Sequence, residues 1–218
     1  MELVNQIKNF LPTYETFLPF SKQKVNYSPF KVKDLKNISI ILQEDDKKLS
    51  LKALIQCLQN NTNLKNPEQL CLADAEYLFL QIRSKSIDEV LNLIINGESC
   101  KINISDIKTK NTIQSNTVNI LDDVSVVLQT PTISEILNLE TFSEENYQKL
   151  CIKKVFIKNE LYDLKKYISN DIKEILDNLP IKCIQELNNF ILNEPTLFIE
   201  YKEKEGEVAG TLTFFTFH

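Results

Sequence analysis

The sequence predicts an α+β fold in which helical units flank a small antiparallel sheet and a β-hairpin forms the C-terminal end. Apolar residues recur with helical spacing from residue 34 to residue 84. After residue 86 they alternate as in strands, around an Asn96-Gly97 pair that is typical of a tight hairpin turn, and helical spacing returns after Pro131. Since 43% of the 218 residues are apolar, the chain has enough apolar surface to bury a core.

A helix in the segment 66–86 is predicted to organise the rest of the chain. Asn66 is a candidate cap and Pro67 suits the first helical position, so the helix is expected to run from residue 67 to residue 84. Its apolar residues fill two faces that are separated by thin polar seams. Because a surface helix needs only one apolar face, we expect this helix, named the central helix, to be packed on both sides.

The residues before the central helix are predicted to form an arm and two helices. In the arm, residues 1–33, a short helix or extended piece leads into an extended segment in which Val25, Tyr27 and Phe30 are expected to dock on the core. A first helix is expected from residue 34 to residue 44. A second, capped by an aspartate at position 45 or 46, is expected to end near residue 60.

Two hairpins are predicted to follow the central helix. The first pairs residues 90–95 with 100–105 around Asn96-Gly97, and the second pairs 112–121 with 124–130 around Asp122-Asp123. Together they are expected to make one small antiparallel sheet, one face of which the central helix covers.

A second helical unit and a terminal hairpin complete the chain. Thr132 with Glu135 predicts a capping box, and Ser143 predicts the start of a helix whose inward stripe extends from Tyr147 to residue 157. A strand-like link at 159–167 and helices at 169–179 and 180–192 are expected next. In the tail, Leu197, Ile199 and Tyr201 are expected to pair with Thr211, Thr213 and Phe215 across a KEKEGE turn.

These elements predict three segments: an N-terminal arm (1–33), a helical unit with the sheet (34–130), and a helical unit with the C-terminal hairpin (131–218). The last two form either separate domains or one domain.

Composition excludes several classes of function. No run of apolar residues is long enough to span a membrane, and the N-terminus lacks the pattern of a secretion signal. The formal charge of −5 argues against nucleic acid as the main partner. Five scattered cysteines without a C-x-x-C pair are typical of free thiols in a reducing cytosol.

Two scarce residue types argue against an enzyme. The three glycines cannot form a phosphate-binding loop, and the one histidine is the last residue, His218. Asp74 lies among apolar residues, but no second carboxylate or histidine stands in register with it, so an active-site acid is not expected there. We therefore predict no catalytic residues and no cofactor.

A basic stretch in the arm leaves a rival function open. Lysines interleaved with Tyr27 and Phe30 resemble sites for single-stranded nucleic acid, although a solvated face of an acidic protein has the same pattern. The lysines are Lys22, Lys24, Lys31, Lys33 and Lys36.

Six short motifs, in this order, resemble the baseplate hub assembly proteins of T-even-type contractile-tailed bacteriophages. They are FKVKD from Phe30, LADAEYLFL from Leu72, RSKSIDEV from Arg83, CIKKV from Cys151, ELYD from Glu160 and LDNLP from Leu176. The resemblance covers roughly residues 18–200 and implies a non-enzymatic protein of the host cytoplasm or the virion tail baseplate. The resemblance further implies that such a protein acts on other baseplate and hub proteins, either as an assembly factor or as a minor subunit.

The resemblance also bears on metal binding. Some members of the family carry cysteine pairs at hairpin turns, where they would form a zinc ribbon. This chain keeps only Cys100 near its first hairpin turn and has no cysteine in KEKEGE, so no structural zinc is expected.

The candidate partner-binding residues lie in the arm, at the exit of the central helix and in the tail. Three phenylalanines within four tail positions cannot all face one side of a strand, so a partner or the protein's own domain is expected to cover some of them. Arg83 has a structural alternative, because a positive charge stabilises a helix C-terminus. The candidates are Tyr27, Phe30, Arg83, Lys85, Phe214, Phe215 and Phe217; the oligomeric state stays open.

Overall fold

The computed structural model describes residues 10–34, 36, 46–95, 98–110, 115–158, 160–166, 169–201 and 204–207. The predicted α+β class is confirmed, with helices and several small antiparallel sheets. Contacts divide the chain into unit 1, Met1–Lys110 with Thr196–His218, and unit 2, Asn111–Pro195. These units follow contacts rather than chain order, and the three predicted segments stay a prediction about domains.

In its described residues, unit 1 combines the helices α1 and α2 with three small sheets. A hairpin of the arm, β1 and β2, precedes helices α1 and α2, and the hairpin of β3 and β4 follows them. A third sheet has the order β11-β10-β5. The bounds are β1 Tyr14–Phe17, β2 Lys24–Tyr27, α1 Lys47–Asn61, α2 Leu72–Ser86, β3 Val90–Ile95, β4 Glu98–Asn103, β5 Lys108–Lys110, β10 Thr196–Tyr201 and β11 Lys204–Glu207.

The central helix begins later than predicted. Pro67–Gln69 form a separate 3-10 turn, Asn66 makes no side-chain cap, and α2 begins at Leu72. The backbone between them is extended, since Leu70 has ψ 152° and Cys71 has ψ 158°. Both side chains are buried, so the chain leaves the helical path in order to place two apolar side chains in the core.

The expectation that the central helix packs on two faces is confirmed. One face packs with the first hairpin and β10: Ala73 and Leu80 belong to a cluster that includes Leu91 and Ile199. On the other face Phe79 is fully buried and its ring lies 5.4 Å from that of Phe30, and α2 also contacts α1. The predicted helix at 34–44 falls mostly on positions outside the described residues.

The C-terminal hairpin has a different register from the predicted one. Tyr201 pairs with Lys204 and Ile199 with Gly206, so much of the KEKEGE segment is strand rather than turn. The predicted KEKEGE turn is therefore wrong, and the predicted partners Thr211, Thr213 and Phe215 cannot be compared. Residues 208–218 lie outside the described part of the chain.

Unit 2 places a four-stranded antiparallel meander, β6-β7-β8-β9, against helices. The second hairpin forms with its predicted turn at Asp122-Asp123, but it joins β8 and not the first hairpin, so the single predicted sheet is wrong. The bounds are β6 Ser115–Leu121, β7 Val124–Gln129, α3 Ile133–Leu137, α4 Glu144–Cys151, β8 Ile152–Ile157, β9 Glu160–Asp163, α5 Ser169–Asp177 and α6 Ile181–Leu192.

The residues after Cys151 form a strand where the sequence predicted the continuation of a helix. The inward stripe of α4 therefore ends at Cys151, and Val155 is buried in the sheet, where it pairs with Val126 and Tyr162. The run IKKVFI has β-branched residues that favour a strand once neighbouring strands are available. The predicted helices of 169–192 and the caps at Asp46, Thr132 and Ser143 are confirmed.

Candidate partner-binding surface

The arm is held on the central helix by Asp74. Its carboxylate accepts hydrogen bonds from the backbone amides of Phe20 at 2.9 Å and Ser21 at 2.8 Å, and its side chain is fully buried. A buried carboxylate is stable only when donors satisfy it, and these amides have no strand partner in the β1–β2 turn. Asp74 therefore fixes the path of the arm.

A hydroxyl and an amide side chain hold the other end of the arm. The amide of Phe30 donates to Ser86 Oγ at 2.7 Å, at the last residue of α2. Asp34 is buried and accepts from the side-chain amide of Asn61 at 3.1 Å, at the last residue of α1. The arm is thus attached to the ends of both helices by contacts between residues far apart in sequence.

The side chains of the arm's two aromatic candidates for partner binding point inward. Tyr27 is 4% exposed and Phe30 is 8% exposed, which confirms that they dock on the core together with Val25. The ring of Tyr27 packs against Tyr14 at 5.6 Å between centroids. Burial raises the pKa of Tyr27, and the nearby charge of Lys85 opposes this rise. Both aromatic residues therefore lie beneath the surface and support it.

Arg83 is also buried, at 7% exposure. Its guanidinium donates to the backbone carbonyl of Asp88 at 3.0 Å, just beyond the end of α2. Burial lowers the pKa of Arg83, and the charge of Asp88 opposes this effect. The contact supports the structural alternative, in which Arg83 holds the helix exit.

Lys85 is exposed and belongs to a polar cluster at the exit of α2. Its ammonium lies 2.5 Å from Glu89 Oε1 and 5.7 Å from the ring centroid of Tyr14. The hydrogen bond to Glu89 raises the pKa of Lys85. An ammonium is attracted both to an aromatic ring and to a carboxylate, so the cluster of Tyr14, Lys85 and Glu89, named the helix-exit patch, presents paired charges beside an aromatic ring.

A small polar cavity adjoins this patch. Its volume is about 130 Å³, and its walls come from α2, from the turn before β3 and from the end of β4. Every lining residue except Ile104 has a polar side chain, so the cavity can accept a hydrogen-bonding side chain of a partner. The lining residues are Gln81, Ser84, Lys85, Glu89, Asn103, Ile104 and Ser105.

Sequence reasoning found Lys85 in this patch but missed Tyr14 and Glu89. The register that pairs Tyr14 with Tyr27 brings Tyr14 to the end of α2. No local pattern predicts this pairing, because β1 and α2 are far apart in sequence. The remaining candidates, Phe214, Phe215 and Phe217, lie outside the described residues.

The cysteines behave as core residues. All five are free and buried. Burial raises the pKa of Cys71 to about 12 and raises that of Cys151 further from its ordinary range, so neither thiol is expected to be reactive. In the part of the chain that the structure describes, no three side chains of His, Cys, Asp or Glu are grouped as metal ligands would be.

Comparisons with known proteins identify the family. None of the helices in the described ranges has the length and apolar run that a membrane crossing requires. No curated protein and no solved structure matches the chain. The family model of the T4 bacteriophage base plate protein matches residues 11–216, from the arm to the tail. The protein therefore has a structural role in a phage baseplate in contact with other baseplate proteins, and the chain belongs to the T4 bacteriophage base plate protein family.

Proposed function

We propose that the protein helps to build the central hub of the baseplate of a contractile tail, through protein–protein contacts and without catalysis. The observation that carries this proposal is the family match, which spans residues 11–216 and so includes every residue predicted to bind partners except Phe217. Two forms of the function are compatible with it. In one the protein is an assembly factor that acts in the host cytoplasm, and in the other it is a minor subunit of the virion.

The helix-exit patch supplies one contact surface in this proposal. The arm is fixed to α2 at Phe20, Ser21 and Phe30, so the ring of Tyr14 and the ammonium of Lys85 meet a partner without rearrangement. Preformed surfaces lose less conformational entropy on binding than mobile ones. Tyr27, Phe30 and Arg83 contribute by holding this surface from below.

The C-terminal tail supplies the second contact in this proposal. Phe214, Phe215 and Phe217 follow β11 along the chain. Buried aromatic anchors dominate the energetics of many interfaces. We assign the tail the larger share of the binding free energy and the helix-exit patch the choice of partner.

Binding assays with purified hub proteins test the two surfaces. Deletion of Thr211–His218 is expected to abolish hub binding while the melting temperature stays unchanged. Lys85→Glu is expected to weaken binding about tenfold, because it reverses a charge in a charged contact. Lys101→Glu is the matched control, since Lys101 is also exposed and lies in unit 1. Unchanged binding by the deletion variant would exclude the tail as a contact.

Mass spectrometry of purified virions with copy counting distinguishes the two forms of the function. A constant copy number per particle indicates a subunit of the baseplate. Absence from the virion, together with failure of baseplate assembly in its genetic absence, indicates an assembly factor. Normal baseplates in the absence of the protein would overturn both forms.

A further inference from the structure

The hairpin of the arm has one strand edge without a partner. At its turn the amide of Leu18 donates to the carbonyl of Gln23 at 2.9 Å, so this first pair of the ladder is hydrogen-bonded. Bonded and non-bonded pairs alternate along an antiparallel ladder, so Glu15, opposite Asn26, and Phe17 belong to non-bonded pairs. The backbone N–H and C=O groups of Glu15 and Phe17 therefore point away from β2.

The outer edge of β2, in contrast, is already occupied. The amide of Asn26 donates to Oδ1 of Asn63 at 3.0 Å, and its carbonyl accepts from the amide of Asn63 at 3.1 Å. The corresponding groups of Glu15 and Phe17 on β1 have no hydrogen-bond partner in the described part of the chain. The outer edge of β1 is thus the open edge of this two-stranded sheet.

The open edge of β1 lacks the devices that commonly protect an edge strand. Unpaired charges, prolines and bulges keep natural edges from pairing. The sequences of the edge strands β5, KTK, and β11, KEGE, carry such charges. The register of β1 has no bulge, Glu15 forms an ion pair with Lys24 at 2.7 Å, and the apolar side chain of Phe17 is 60% exposed. This edge therefore favours pairing with another strand.

A second copy of β1 fits this edge in one antiparallel register. Only residues whose backbone groups point outward can form bonded pairs, so Glu15 meets either itself or Phe17, or Phe17 meets itself. The first register sets two carboxylates opposite each other, which is unfavourable. The last sets Glu15 opposite Pro19, which has no N–H to donate. The register of Glu15 with Phe17 satisfies every outward group, because each of the two pairs exchanges two hydrogen bonds.

We propose that two copies of this chain form a symmetric dimer through β1. The two-fold axis passes between the Thr16 residues of the two copies, and the strands make one antiparallel sheet in the order β2-β1-β1-β2. On its outer face the ring of Phe17 lies between Lys24 of its own copy and Glu15 of the other. Both copies use the same edge, so the contact is isologous and association ends at the dimer. The dimer goes beyond the proposed hub function and does not depend on it.

Sedimentation velocity on the full chain tests for the dimer. A four-residue strand buries little surface, so we expect the wild type to pass from monomer to dimer, and no further, only at high micromolar concentration.

Two variants of Phe17 isolate the backbone contribution. Phe17→Pro and Phe17→Thr both lose the ring, but only proline loses the outward N–H. Proline is tolerated on an edge strand where the N–H faces solvent, so both variants are expected to keep similar melting temperatures. The dimer of Phe17→Pro is expected to be about thirtyfold weaker than that of Phe17→Thr, because two of the four hydrogen bonds are lost.

Disulfide cross-linking tests the register. Cα atoms of a hydrogen-bonded pair lie about 5.5 Å apart, which is within reach of a disulfide. Under mild oxidation, a mixture of Glu15→Cys and Phe17→Cys is expected to form a linked dimer. Each variant alone is expected to form little, because its two cysteines are offset by two residues. The control mixture of Phe17→Cys with Lys52→Cys, an exposed position on α1, measures random collision, and the native cysteines are buried.

Any of three results would overturn the proposal. They are a monomeric wild type at every concentration, equal dimerisation of Phe17→Pro and Phe17→Thr, and a single cysteine variant that cross-links as readily as the mixture. A monomeric wild type that binds a different baseplate protein, with binding lost in Phe17→Pro but kept in Phe17→Thr, would assign the edge to a strand of that protein and also overturn the dimer.

Discussion

Asp74 in unit 1 is fully buried and Glu194 in unit 2 is partly buried, and different kinds of donor satisfy the two carboxylates. In unit 1, Asp74 accepts from the backbone amides of Phe20 and Ser21. In unit 2, Glu194 accepts from the hydroxyl of Tyr147 at 2.7 Å and lies 3.8 Å from the thiol sulfur of Cys151. The first carboxylate holds a backbone segment and the second holds side chains.

This difference determines what each carboxylate controls. Backbone amides are fixed to the path of the chain, so Asp74 decides where the arm runs. Side-chain donors lie on α4, so Glu194 ties α4 to the end of α6. Burial raises the pKa of Glu194, and the hydrogen bond from Tyr147 opposes this rise. We therefore expect the contact between Glu194 and Tyr147 in unit 2 to depend on pH.

The largest expected effect comes from Asp74→Ala. It leaves two amides without their acceptor, and we expect the free energy of unfolding to fall by about 3 kcal/mol. Urea unfolding measures this loss, and hydrogen exchange at the amides of Phe20 and Ser21 locates it. Asp74→Asn keeps one acceptor oxygen, so we expect a smaller decrease in the free energy of unfolding. Asp106→Ala, at an exposed position, serves as the control, and equal stability of all three variants would exclude the role given to Asp74.

Lys153→Met is expected to have the next largest effect. The ammonium of Lys153 lies 2.7 Å from Glu135 Oε2 and its side chain is 9% exposed. Its removal takes the opposite charge away from a partly buried carboxylate, which keeps its hydrogen bond from the backbone amide of Thr132. We expect a loss of about 2 kcal/mol, below the value for a fully buried pair because Glu135 remains 22% exposed. Thermal unfolding of the neighbouring variant Lys154→Met, whose side chain is exposed, provides the comparison. A loss of the same size in both variants would count against the ion pair.

Ser86→Ala is expected to destabilise the protein by about 1 kcal/mol, because the amide of Phe30 loses its acceptor. Ser84→Ala is matched to it, since Ser84 lies in the same turn of α2 but donates only to the nearby carbonyl of Gln81. Urea midpoints of the two variants measure the difference. If they coincide, Ser86 does not hold the arm.

Glu194→Gln is expected to produce the smallest change, and in the opposite direction. The pKa of Glu194 is raised above 4.5 in the folded state, so its favourable contribution is complete below pH 4.5 and is lost as the pH rises through the folded pKa. The amide still accepts from Tyr147 but carries no charge. We therefore expect the variant to match the wild type near pH 4.5 and to exceed its melting temperature at neutral pH.

A pH series of melting temperatures checks this expectation. Glu174→Gln is the control, because Glu174 is exposed on α5. A constant difference between Glu194→Gln and the wild type across the series would contradict the assigned pH response.

Local interactions account for the elements that the sequence predicted well. The caps at Asp46, Thr132 and Ser143 each join a side chain to a backbone amide within three residues, so the pattern alone identifies them. The turn at Asp122-Asp123 is equally local. Long-range contacts account for the errors, since IKKVFI becomes a strand only beside β7 and β9.

The residues of the candidate site also fall into those that the sequence predicts and those that only long-range contacts explain. The sequence identified Lys85 by its place at the helix exit and predicted that Tyr27 and Phe30 dock on the core, but it could not show that Tyr14 lies beneath the ammonium of Lys85. These positions depend on how a hairpin of the arm docks on α2. The sequence also placed Asp74 among apolar residues without revealing the two amides that it binds.

By itself the sequence determined the α+β class, the helix starts capped by Asp46, Thr132 and Ser143, the two apolar faces of the central helix and, through its ordered motifs, the resemblance that the family match supports. Each of these follows from spacing along the chain. Only the tertiary structure decided which strands share a sheet, where the central helix begins and which buried polar groups hold the arm. Those outcomes depend on residues that are distant in sequence and meet only when the core forms.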